Sequence, residues 1–199
     1  SPRKVLGLHS GGILYFNRDE LRSKSLPNLP EYPVARHQYI IKLFLWHFSS
    51  LKRYLKKILK SRPPYEDPRA FREPEINDFS IDSASLNEFK TIDWDRMRKE
   101  RQNAYYSWEY FAKNNKLTSV FKTLNPEASP WCFPAYVKDK KETIRWFKWG
   151  WKHGYQIFSW PSLPEEIIRQ NGSALHRWEK LICFPIENQT RYQKLSKKL

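Results

Sequence analysis

Lys4 is the residue whose position first raises a chemical possibility. It stands in Ser1-Pro2-Arg3-Lys4-Val5-Leu6-Gly7-Leu8-His9-Ser10-Gly11-Gly12, ahead of the apolar run Ile13-Leu14-Tyr15-Phe16. A lysine amine held neutral attacks a carbonyl carbon and forms an imine. Gly11 and Gly12 allow the backbone to turn tightly or to pass close to a ligand before residues 12–16 run on as a strand. The same residue types equally describe a surface lysine beside a loop. The elements that follow decide what such a lysine would face.

After the strand at 12–16 comes a polar turn and the connector Leu26-Pro27-Asn28-Leu29-Pro30. From 35 to 60 the apolar residues Ile40, Ile41, Phe44, Leu45, Phe48, Leu51, Leu55 and Leu59 recur every three or four positions, which predicts an amphipathic helix. Arg53, Lys56, Lys57 and Lys60 complement the dipole at its C-terminal end. Residues 61–92 are rich in Pro and charge and read as an irregular connector, with a short helix near 83–89. A second helix is expected over 94–113, carrying Trp94, Met97, Tyr105, Trp108 and Phe111.

The stretch from 126 onward alternates strands and helices. Strands are predicted at 131–137, 155–160 and 181–186, and helices over 141–153, 165–180 and 190–199. Gly154 is placed to end the first of these helices, and Thr190 to cap the last. The fold class is therefore α/β, and α+β within this chain: a roughly three-stranded sheet covered by helices.

Composition limits the function classes. The 199 residues, 40% hydrophobic and 16% aromatic, supply enough core material to exclude global disorder. A net charge of +15 attracts phosphates, nucleic acid or anionic lipid without specifying a reaction. The two cysteines, Cys132 and Cys183, exclude a disulfide framework, and no Cys/His cluster has zinc-site spacing, so no metal site is expected. Both sit in apolar runs and read as buried thiols of a reducing compartment. No signal peptide and no transmembrane segment are apparent, and a cytoplasmic protein is expected.

The segment SPRKVLGLHSGGILYF resembles the cofactor-lysine region of DegT-type sugar aminotransferases, which are fold-type I, pyridoxal 5'-phosphate-dependent enzymes. CFPAYV, KHGYQIFSW and LICFPIENQT, in that order, are similar to the C-terminal domain of the same family, and IDWDRMRKERQNAYYSWEYF to the helix that leads into it. The resemblance implies that Lys4 is the cofactor lysine and catalytic base, and that Ser1 hydrogen-bonds the cofactor phosphate. It implies an amino donor and a keto-sugar as substrates and a homodimer as the working form.

By the same resemblance, 1–60 corresponds to a remnant of the cofactor-binding large domain, 61–92 to a connector, and 93–199 to a linking helix and the small C-terminal domain. Only three residues precede Lys4, where the family has about half its chain. The expectation is the C-terminal part of a larger enzyme, inactive alone for want of the upstream aspartate that keeps the cofactor ring protonated. A histidine common beyond the family's middle strand has no counterpart, since Trp160 and Pro161 stand there.

Two other readings follow from the residues. Arg145-Trp146-Phe147-Lys148-Trp149-Gly150-Trp151-Lys152-His153 interleaves rings with positive charge, as platforms for single-stranded nucleic acid do. No RNA- or DNA-binding motif accompanies it. On a helix, Ile144, Phe147 and Trp151 are expected in the core, with Trp146 and Trp149 partly exposed. The remaining reading is a non-catalytic remnant that docks on a full-length partner.

Overall fold

The structure, a computed structural model, describes residues 29–33, 79–159 and 163–186. The expected strand at 12–16 and the helices over 35–60 and 190–199 lie outside the described residues. So do most of the 61–92 connector and the positions of Trp160 and Pro161.

The described residues divide into two units, 29–33 with 79–93, and 94–159 with 163–186. In the first, Glu31 and Ser80 form a parallel bridge, with Tyr32 N donating to Ser80 O at 3.0 Å and Ser80 N to Pro30 O at 2.9 Å. Helix α1 (Ser83–Thr91) follows. Asp82 caps it by accepting from Ser85 N at 2.8 Å, which satisfies one of the orphan donors of the first turn. The sequence placed this helix within two residues of its end.

The second unit begins with α2 (Trp94–Asn114), whose inward face is Ala104, Tyr105, Trp108, Phe111 and Ala112, recurring at helical spacing. Two of its polar residues pin the loop beyond it. Arg101 Nε donates to Pro130 O at 2.8 Å, and Gln102 Nε2 to Pro126 O at 2.6 Å and Ala128 O at 2.9 Å. The sheet is antiparallel in the order β1 (Thr118–Ser119), β2 (Cys132–Tyr136), β3 (Leu181–Pro185). Helix α3 (Lys140–His153) connects β2 toward α4 (Glu165–Gln170) and α5 (Ser173–Lys180), and α5 runs directly into β3.

The fold class agrees with the expectation, while two elements differ. The segment expected as a strand over 155–160 makes one bridge, Phe158 with Cys183 on the outer edge of β3, and the third strand is instead the two-residue β1. The helix expected over 165–180 breaks in two. Asn171 adopts φ 48°, in the left-handed region that ends a helix, and Gly172 starts the next.

Pairing of Phe133 with Phe184 and of Ala135 with Ile182 puts these four on one face of the sheet. That face meets α2 and α3. Phe184 lies 4.6 Å from the Trp108 ring, 6.0 Å from Phe111 and 6.2 Å from Trp146, and Tyr105 packs 4.9 Å from Phe133. Trp108, Phe133 and Phe184 are fully buried, each worth about 1.5–3 kcal/mol of apolar burial. The Trp108 indole N–H also donates to Pro185 O at 2.9 Å, fastening α2 to the end of β3.

Candidate functional site

Lys4 and Ser1 lie outside the described residues, so no described contact bears on either. The described part of the expected site is the C-terminal unit, and there the segments that carry the resemblance converge. CFPAYV supplies β2, LICFPIENQT supplies β3, and KHGYQIFSW reaches β3 through Phe158 N to Cys183 O at 3.2 Å and Cys183 N to Phe158 O at 2.8 Å. Pieces separated by tens of residues thus share one sheet and its edge.

Local chemistry fixes α3 in place beside that sheet. Asp139 caps it, accepting from Glu142 N at 2.9 Å. The Thr143 hydroxyl donates to Glu179 O at 2.7 Å, and Lys140 pairs with Glu179 at 2.9 Å, so the start of α3 is tied to the end of α5. At the other end Gly154 takes φ 78°, with Gly154 N donating to Trp151 O at 3.2 Å and Tyr155 N to Gly150 O at 2.7 Å. This double closure reverses the chain and brings Ile157 onto Gly150.

Of the α3 residues, Phe147 is buried and Trp149 partly exposed, as expected, while Trp146, Ile144 and Trp151 differ from the expectation. Trp146 is buried, 6% exposed, and belongs to the core with Thr143, Phe147 and Gly150; Ile144 and Trp151 are half-buried. The buried face is rotated because small Thr143 and Gly150 let neighbouring backbone approach on that side. Trp149 is half-buried, and its ring is engaged internally: it lies 7° from parallel with Tyr155 at 5.8 Å and 26° from His153 at 4.6 Å. Neither indole therefore offers a base the open ring face that a stacking platform requires.

What α3 does present outward is positive charge. Lys141, Arg145, Lys148 and Lys152 are all exposed and recur every three or four residues, forming one stripe about 16 Å long at the helical rise of ~1.5 Å per residue. Arg145 pairs with Glu142 at 3.1 Å and stands 5.7 Å from the Trp146 ring centroid. A pair this exposed contributes about 0–1 kcal/mol and leaves the guanidinium open to other anions. The sequence reading found three of the four cations; Lys141 joins them only through helical geometry.

Both cysteines are buried and neither is in a disulfide. The hydrogen bond from Cys183 holds the Cys132 thiol below its ordinary range, against the opposing effect of burial and with help from the Arg101 charge. Nothing in the sequence spacing signals this pairing, since 51 positions separate them and only the register of β2 with β3 joins them.

Among the described residues no helix is long and apolar enough to cross a membrane. No protein-family model, curated protein or solved structure matches the chain.

Proposed function

We propose that this chain is the C-terminal part of a pyridoxal phosphate-dependent aminotransferase acting on a keto-sugar, with Lys4 as the amine that holds the cofactor. The observation that supports this reading is the pairing of CFPAYV with LICFPIENQT in one sheet, with KHGYQIFSW bridged to its edge at Phe158, beside a long leading helix. A shared sheet is a matter of fold, and the activity rests on the resemblance around Lys4. When bound, pyridoxal phosphate supplies an electrophilic carbonyl and an electron sink. Lys4 would be the amine that holds the cofactor and the base that moves a proton at the α-carbon of the amino donor. Both roles need the neutral amine, so the site has to bring the lysine well below its ordinary value of about 10.4. Ser1 would hydrogen-bond a phosphate oxygen of the cofactor, and a keto-sugar would be the amine acceptor.

The test is chemical trapping. The chain is mixed with pyridoxal phosphate, reduced with borohydride and mapped by peptide mass spectrometry. Modification concentrated at Lys4, and lost in Lys4→Ala, is the expected result. Label spread evenly over the surface lysines removes the reading.

A second reading is carried by the α3 stripe: polyanion binding, with single-stranded nucleic acid as the ligand class. The four exposed cations neutralise phosphates without needing ring stacking. Affinity for an unstructured oligonucleotide is expected to fall with added salt. Replacing Lys141, Arg145, Lys148 and Lys152 by Gln should flatten the log–log salt slope by up to about 0.7 per lost phosphate contact. An unchanged slope in that variant rules out α3 as the interface.

A further inference from the structure

We propose that Cys132 and Cys183 form a two-coordinate site for a soft monovalent cation, Cu(I) by chemistry, with the Arg101 guanidinium balancing its charge. The register supplies the geometry. Cys132 pairs with Pro185 and Cys183 with Pro134, so the cysteines are diagonal neighbours on adjacent strands. An even offset puts both side chains on the same face, opposite the one that bears Phe133 and Phe184. They are 8% and 0% exposed.

The diagonal spacing selects among thiol chemistries. Diagonal neighbours in an antiparallel pair stand about 7–8 Å apart, beyond the reach of a disulfide, which needs Cα atoms within roughly 4.4–6.8 Å. A cation inserted between the sulfurs instead requires them about 4.6 Å apart, twice a metal–thiolate bond of about 2.3 Å. Zinc would require four ligands, and among the described residues no three His, Cys, Asp or Glu side chains cluster. Cu(I) accepts soft thiolate ligands.

Charge supports the same choice. On binding, both S–H protons leave to solvent and two S–Cu bonds form with no change of oxidation state. One Cu(I) and two thiolates carry a net charge of −1. Arg101 is held against the chain immediately before Cys132, its Nε on Pro130 O at 2.8 Å and its Nη2 on Trp131 O at 3.3 Å. One fixed positive charge therefore accompanies one excess negative charge in a buried setting, where an uncompensated ion is costly. On the outer edge of β3, Phe158 bridges Cys183 through two backbone hydrogen bonds, and a local opening that breaks them would give the ion access.

The experiment is an anaerobic titration of the reduced full chain with Cu(I) supplied as its bicinchoninate complex. One equivalent should be withdrawn from the indicator, with release of protons and an affinity that rises with pH. Cys132→Ser and Cys183→Ser should each weaken binding by more than 100-fold, and Arg101→Gln by about 10–100-fold with partial rescue by Arg101→Lys. X-ray absorption on the unaltered chain needs no variant, and two sulfur neighbours with no nitrogen or oxygen in the shell is the expected result. Undiminished affinity in either serine variant, a third ligand in the absorption spectrum, or equal affinity in the denatured chain overturns the proposal. So does ready formation of an intramolecular disulfide with glutathione disulfide while the fold is retained.

Discussion

Tyr105 shows how a single buried atom can work against the fold that contains it. Its ring fills the core against Phe133, yet its hydroxyl is buried with no hydrogen-bond partner among the described residues. Leaving such a group unsatisfied costs about 1–3 kcal/mol. Burial, then the neighbouring Glu109, Cys132 and Tyr106, push its pKa above the ordinary 10.0. In the unfolded chain the phenol ionises first, so the folded state keeps a proton that the unfolded state has lost. The stability linked to Tyr105 is therefore intact below pH 10.0 and is lost as pH rises through the folded-state value. Tyr105→Phe keeps the ring and removes the hydroxyl. Chemical denaturation should find the variant equal to the parent or more stable, by up to about 1–3 kcal/mol at neutral pH. It should also lose less stability above pH 10.0 than the parent does. A clear loss at neutral pH would mean that the hydroxyl has a partner.

At the scale of the element, α3 is defined by its small residues as much as by its tryptophans. A methyl group on Gly150 would come within 2.7 Å and 2.8 Å of Ile157 side-chain carbons and 2.8 Å of Tyr155 O. The Ile157 side chain can change rotamer, but the Tyr155 backbone carbonyl is held by the chain reversal at Gly154. Gly150→Ala raises helix propensity by roughly 0.5–1 kcal/mol yet should be net destabilising by about 1–3 kcal/mol through overpacking. A urea midpoint that rises rather than falls would show that the 155–157 segment is free to move away. The stripe of Lys141, Arg145, Lys148 and Lys152 lies on the same helix, away from this contact, so loss of packing and loss of charge can be measured separately.

For the whole molecule, the dominant physical fact is a net charge of +15 on 199 residues. Like charges repel in the compact state, and that repulsion reaches over a Debye length of roughly 10 Å at 0.1 M salt. The melting temperature should rise as sodium chloride is raised from a few millimolar to about 0.1 M. Polyphosphate should produce the same rise at far lower concentration, because a multivalent anion screens and binds at once. Differential scanning fluorimetry would check this, and a melting temperature indifferent to both would show that the positive charges are already compensated within the fold.

What the sequence alone determined is local. Periodic apolar residues gave α2 its extent, Gly154 gave α3 its end, and the apolar runs around Phe133 and Phe184 gave the central strands, because these features depend on neighbours a few positions away. The break at Asn171 was open to the same reading, but the apolar spacing on either side masked it. Tertiary structure decided the rest. Which face of α3 turned inward depended on the close approach allowed at Thr143 and Gly150, and the edge position of Phe158 depended on where α3 delivered the chain. The meeting of Cys132 with Cys183 depended on strand register, which is set by packing across the whole sheet and leaves no trace in the spacing of either residue.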